Sequence, residues 1–165
     1  MALITIERIT PETALVLKDV RLRALLDSLT AFSSTYAKES LFPDEEWRKR
    51  AVRWSSNGSA IFLAMEGDAV CGIIGAYEEV EQCAQVISMW VAPEARRAGV
   101  GMKLVEAVAD WAQSRGMREL KLMVTSVNDV AIAFYQRMGF AMTGKTGVYP
   151  NDAAITEFEM VRRLV

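Results

Sequence analysis

The chain has 165 residues, 52% of them hydrophobic and 24% charged, with a formal net charge of -2 and a pI near 5.3. That size and balance suit one ordinary globular domain over residues 1–165. They exclude the basic footprint of a nucleic-acid binder, and no apolar run approaches a bilayer span, so neither nucleic acid nor membrane is an expected partner.

Leu3 to Arg8 alternates as a short strand. Thr10, Pro11 and Glu12 then read as an N-cap, a proline at the first helical position and an acidic first turn. Val16, Val20, Leu22, Leu25, Leu26 and Leu29 supply the apolar face of the following helix. A stretch of small polar and aromatic residues runs from Thr30 to Ser40. A second helix starts near Pro43-Asp44, with Trp47, Ala51 and Trp54 spaced three to four apart.

The middle of the chain is β-like. Ala60 to Met65 and Ala69 to Tyr77 flank the turn signal Glu66-Gly67-Asp68, the pattern of a hairpin. An acidic turn with Glu78, Glu79 and Glu81 leads to the strand Gln85 to Val91, which Pro93 ends. After Gly99 the period becomes helical: Val100, Leu104, Val108, Trp111 and Ala112 share one face, and Gly116 is placed as the C-cap. Leu120 to Val124 is a strand, Asn128 to Met138 a helix ended by Gly139, and Ile155 to Leu164 a final strand. The order β-α-α-β-β-β-α-β-α-β-β is that of a mixed α/β domain.

Histidine is absent. That removes Ser-His-Asp and Cys-His mechanisms and every imidazole metal ligand, and no metal is expected. Proton transfer falls to Glu, Asp, Tyr, Lys, Cys or water. The two cysteines, Cys71 and Cys83, lack a metal or redox spacing and have no histidine to activate them. They are read as inert thiols of a reducing compartment. The N-terminal residues carry no secretory pattern, so a cytoplasmic location is expected. Trp47, Trp54, Trp90 and Trp111 fall at core-like spacings and are read as packing.

The stretch Val91 to Gly101 joins a strand to a strongly amphipathic helix. Gly99 and Gly101 permit close backbone approach or positive φ, the helix N-terminus presents unpaired N–H groups, and Arg96 and Arg97 add fork-shaped cationic donors. Together they read as a pyrophosphate cradle. The glycine and lysine pattern of a P-loop is missing, and so is G-x-G-x-x-G. For an isolated R-x-x-G-x-G, a glycine-bearing turn with solvated arginines explains the residues equally well.

A second signature decides between these readings. Arg96 to Gly101 resembles the Arg/Gln-x-x-Gly-x-Gly/Ala acyl-CoA signature of the GCN5-related N-acetyltransferase superfamily, and Asn128, Ala131, Phe134, Tyr135, Gly139 and Phe140 resemble its following helix. The strand Ile87 to Val91 is similar to the one preceding the family's cradle, and the element order is similar over nearly the whole chain. The resemblance implies a twisted mixed sheet flanked by helices, in which the strands ending at Val91 and starting at Leu120 pair in parallel and splay. It implies acetyl-CoA as co-substrate, with pantetheine on the main chain of Met89 and Val91. The amides of Arg96, Arg97, Ala98, Gly99, Val100, Gly101 and Met102 would hold the pyrophosphate. Asn128 would contact the cofactor arm, and Ala131, Phe134 and Arg137 would line its other side. Tyr135 would protonate the leaving thiolate; without the motif it reads as an aromatic core residue beside Phe134.

The implied activity is direct acetyl transfer to a primary amine of a small molecule or protein, without an acyl-enzyme. A domain that senses acyl-CoA without turnover is the alternative, because Val86 to Val91 carries Ser88 but no carboxylate to act as base. Thr30 to Ser40 occupies the superfamily's usual acceptor-loop position. Phe32 and Tyr36 are its candidate acceptor residues, with Glu39 offering charge to an amine; an ordinary connecting loop with one aromatic anchor is the competing reading. A homodimer is expected by analogy alone.

Overall fold

A computed structural model describes residues 3–29, 32–80 and 82–164. Seven strands form one sheet in the order β1-β2-β3-β4-β5-β7-β6: β1 (Ile4–Arg8), β2 (Ser59–Glu66), β3 (Ala69–Val80), β4 (Cys83–Val91), β5 (Glu119–Thr125), β6 (Ala141–Val148) and β7 (Thr156–Arg163). Only β4 and β5 pair in parallel; every other neighbouring pair is antiparallel. The helices are α1 (Ala14–Asp27), α2 (Tyr36–Glu39), α3 (Asp44–Trp54), α4 (Val100–Ser114) and α5 (Asp129–Arg137). Among the described residues no helix is long and apolar enough to cross a membrane, and no three His, Cys, Asp or Glu side chains gather as a metal site.

Two faces of the sheet matter for function. α4 buries Val100, Leu104, Val105 and Val108 against one of them, and Gly72 of β3 is small because a Cβ there would meet Leu104 and Val100 at 3.0 and 3.3 Å. α1 lies on the other, where Trp90 of β4 packs against the Arg23 guanidinium, 5.4 Å from its ring centroid, and donates its indole N–H to Asp27 at 2.9 Å. Trp90 is therefore a hydrogen-bonding residue as well as a packing one.

Three sequence expectations need correction. The buried stripe of α1 is Ala14, Leu17, Val20, Ala24 and Leu25, whereas Val16, Leu26 and Leu29 are exposed. A run this rich in leucine offers more than one stripe at helical spacing, and only packing selects between them. Glu78 and Glu79 belong to β3 rather than to a solvated turn, and they pair with Arg115 and Lys121; Glu81 lies outside the described residues. The loop after α1 contains the one-turn helix α2, whose N-cap Thr35 accepts from the Lys38 N–H at 3.2 Å.

Candidate functional site: a cleft between two parallel strands

β4 and β5 share only three ladder positions, Cys83↔Glu119, Ala84↔Leu120 and Gln85↔Lys121. Beyond them β4 continues six residues to Val91 along β3, and β5 four residues to Thr125 along β7, without pairing with each other. The two facing edges, parted from each other, form a cleft. That is where Met89 and Val91 sit.

One edge is bent by a bulge. Register jumps from Gly75↔Ile87 to Ile73↔Trp90, so Ser88 and Met89 together oppose Ile74, and Ser88 adopts a left-handed conformation with φ 57. A serine there costs about 1 kcal/mol relative to glycine, a strain that natural chains keep chiefly at functional positions. The bulge turns Met89 toward α4 and Ser88 toward α1, where the Ser88 hydroxyl accepts from Arg21 at 2.8 Å.

The cleft opens over the N-terminus of α4. Arg97 and Gly99 are left-handed, with φ 66 and 80, and Gly99 is the N-cap. Lys103 is the first helix amide to reach a backbone carbonyl, that of Gly99 at 3.2 Å. Among the described residues the amides of Val100, Gly101 and Met102 are thus the orphan donors of a helix start, and the alternating left-handed residues before them form an anion-binding concavity. A Cβ on Gly99 would meet nothing within 4 Å, so the loop borders open space. A Cβ on Gly101 would strike Met89 Cε and the Phe134 ring at 3.1 Å, so glycine there lets β4, α4 and α5 converge. These features fit a pyrophosphate above and a narrow extended arm below.

Arg96 is committed elsewhere. Its Nε donates to the Val91 carbonyl at 3.0 Å, and its guanidinium pairs with Asp27 at the end of α1. Burial works to raise the Asp27 carboxyl, but hydrogen bonds from Trp90, Ser28 and Arg96 outweigh it and hold the group below the usual carboxylate range. Arg97, Ala98 and Met102 are exposed at the mouth.

α5 forms the opposite wall. Asn128 caps it, accepting from the Ala131 N–H at 3.1 Å. Ala131 and Phe134 are half-buried and Arg137 is exposed in the last turn. Tyr135 is buried between Phe134 and Phe140, with ring centroids 5.3 and 5.6 Å away in edge-on arrangements. Burial pushes its phenol far above the ordinary value, so it stays a protonated donor at neutral pH.

On the α1 face, Phe32 is buried with the Arg21 guanidinium 4.8 Å above its ring. Its carbonyl accepts from Tyr149, and from Asn151 at 3.0 Å. Phe32 thus anchors its loop to the β6–β7 connection, while Tyr36 is exposed at the start of α2. Tyr149 and Asn151 carried no sequence signal, because their role lies in contacts more than a hundred residues distant. Glu39 is also not free to meet an amine: it is 1% exposed and paired with Arg21 at 3.0 Å and Arg50 at 3.0 Å. Burial pulls its carboxyl upward, but the hydrogen bond and charge of Arg21, with Ser34 and Arg50, leave it below the ordinary value.

Glu39→Gln is expected to destabilise the fold by about 3 kcal/mol, because it strands two arginines without their shared anion. Urea unfolding measures this. The wild-type contribution is present above the ordinary glutamate value, about 4.3, and is lost as pH falls from there toward the lowered folded-state value. The variant's deficit must shrink in the same window.

Cys71 and Cys83 are free, buried and raised in pKa chiefly by desolvation, which makes them poor nucleophiles. Two open surface depressions, one around Glu78 and Arg115 and one around Leu15 and Val70, lie away from the cleft.

A mixed sheet that parts between two parallel strands over a helix N-terminus is the acyl-CoA N-acyltransferase fold. The crystal structure of a GNAT-family acetyltransferase from Streptococcus pneumoniae superposes with a TM-score of 0.81 at 23% identity, covering 99% of this chain and 100% of that one. A Thermoplasma acidophilum PaiA N-acetyltransferase solved with coenzyme A gives 0.77 at 20% identity, covering 98% and 99%. Identities this low speak for the fold alone. The chain belongs to the acetyltransferase (GNAT) family, whose family model matches residues 22–140. A streptothricin acetyltransferase from Streptomyces lavendulae is 39% identical over 88 residues, 52% of this chain and 47% of that protein. The chain thus aligns with under half the length of that relative.

Proposed function

We propose that the protein transfers an acetyl group from acetyl-CoA to a primary amine by direct attack. The observation that carries this reading is the parting of β4 from β5 directly over the orphan amides of α4. In this reading the amides from Arg97 to Met102 hold the pyrophosphate, the Arg96 amide being taken by the Pro93 carbonyl at 3.4 Å, and the Arg97 side chain adds charge at the mouth. The β4 edge at Met89 and Val91, whose Val91 carbonyl Arg96 already engages, pairs with the pantetheine as an added strand would. Asn128, Ala131, Phe134 and Arg137 border the arm from α5. Arg96 serves through its tie to Asp27, which holds the loop against α1.

Direct attack needs the amine and the thioester carbonyl held together, with a proton donor for the departing sulfur. Tyr135 supplies that proton from a buried phenol. The loop carrying Phe32 and Tyr36 borders the acceptor side, opposite the cofactor face. Streptothricin enters the candidate acceptors through the relative's name, beside amino acids, polyamines and protein amines. The two free buried thiols suit a reducing cytoplasm.

Acetyl-CoA-dependent thiol release, followed with streptothricin, spermidine and lysine amide, tests the proposal. Release that requires one of these amines supports it. Acetyl-CoA raising the melting temperature with no release on any amine would favour a cofactor sensor, the reading that the carboxylate-free β4 invites.

A further inference from the structure

The transferase reading leaves the amine's proton without a destination, since β4 has no carboxylate from Val86 to Val91. The neighbouring carboxylates are committed: Asp27 to Arg96 and Trp90, Glu39 to Arg21 and Arg50, Glu78 to Arg115, and Glu79 to Lys121.

Strand register points to the other side of the cleft. Arg162 of β7 reaches Glu106 of α4 at 2.9 Å, so the face it shares with Leu120, Leu122 and Val124 is the α4 face. Side chains alternate along a strand, which puts Thr125, and its ladder partner Glu157, on the α1 face. Ser88 and Arg21 meet on that same face. Thr125 lies four residues beyond the last β5 ladder position and Ser88 three beyond the last on β4, on the order of 10 Å in each case. The two residues therefore flank the cleft at similar depth, with Glu157 one strand further on.

One side chain there is unsatisfied and another is uncommitted. Thr125 is 5% exposed, and its hydroxyl has no hydrogen-bond partner among the described residues. Glu157 is half-buried and makes no ion pair or hydrogen bond among the described residues. Burial pushes its carboxyl above the ordinary value. Facing it are Thr125 from β5 and Gly147 from β6. Glu159, next on its own strand face, accepts from Thr143, and Lys121 further along β5 is paired with Glu79. Glu157 also follows the β6–β7 connection whose Tyr149 and Asn151 clamp the loop at Phe32, so it stands on the side from which an acceptor enters.

Resting on the transferase reading, we propose that Glu157 is the general base. As the nitrogen bonds to the carbonyl carbon it becomes cationic and strongly acidic, and the Glu157 carboxylate takes its proton. The C–S bond then breaks, and the sulfur takes the Tyr135 hydroxyl proton. Solvent carries the proton from Glu157 back to the phenolate, so one amine and one thioester yield one amide and one thiol.

The test compares Glu157→Gln and Glu157→Ala with the wild type on streptothricin, spermidine and lysine amide. The expected result is a roughly hundredfold fall in kcat/KM for the amine, with unchanged acetyl-CoA affinity by calorimetry and an unchanged melting temperature. The acid limb of the wild-type pH profile should vanish in Glu157→Gln. Sodium formate should restore part of the activity of Glu157→Ala and none to Glu157→Gln, whose side chain fills the space. Wild-type kcat/KM in Glu157→Gln, a loss in Glu157→Ala that formate leaves untouched, or unfolding of both variants would overturn the base. A wild type that binds acetyl-CoA yet turns over none of the three amines would overturn the transferase reading beneath it.

Discussion

Gly99→Glu should lower acetyl-CoA affinity by a hundredfold or more while leaving the fold in place. Gly99 is left-handed at the N-cap of α4, and a side chain built there enters open space. A Cβ there meets no neighbour, so its local cost is backbone strain, about 1 kcal/mol for a non-glycine residue at positive φ. The glutamate would put a like charge among the amides of Val100, Gly101 and Met102. Charge-assisted hydrogen bonds are worth roughly 1.5 to 3 kcal/mol each, so losing two corresponds to about a hundredfold or more. Gly99→Ala carries the strain without the charge or the bulk and separates the two effects. Calorimetry on the three proteins decides: Glu far weaker than Ala, and Ala near wild type, is the pattern of a phosphate cradle. Equal affinity in all three would sink it.

What was legible in the sequence followed the range of the interactions. Gly99, Gly101 and the Asn128 to Phe140 helix are local patterns, and β4 and β5 do pair in parallel and part beyond Gln85 and Lys121, as the resemblance implied. The bulge at Ser88 was invisible because nothing in a serine announces a left-handed conformation; glycine would have. Arg96 looked like a phosphate ligand, since its partner Asp27 is 69 residues away and no spacing rule connects them. Glu39 looked like a charge on offer to an amine for the same reason: its neutralising arginines come from α1 and α3. Glu157 lay inside a correctly expected strand but had no meaning until register placed it across from Thr125. Long-range pairing therefore decides which charges are spent and which remain.

Tyr135→Phe should cut kcat by about a hundredfold or more and leave acetyl-CoA affinity unchanged, the span expected for loss of a positioned proton donor. The substitution deletes one hydroxyl and keeps the ring between Phe134 and Phe140, so the melting temperature should hold or rise as a desolvated polar atom is removed. Because burial drives the phenol upward from an ordinary value of about 10, Tyr135 stays protonated across the working range. Any alkaline limb in the wild-type profile below that value must then survive in Tyr135→Phe. A thioester whose thiol leaves more readily needs the proton less, so the mutant's deficit should narrow with an acetyl-CoA analogue bearing a more acidic thiol. Full turnover in Tyr135→Phe would reduce the residue to core packing. A loss shared equally with acetyl-CoA binding would make it a cofactor contact instead of an acid.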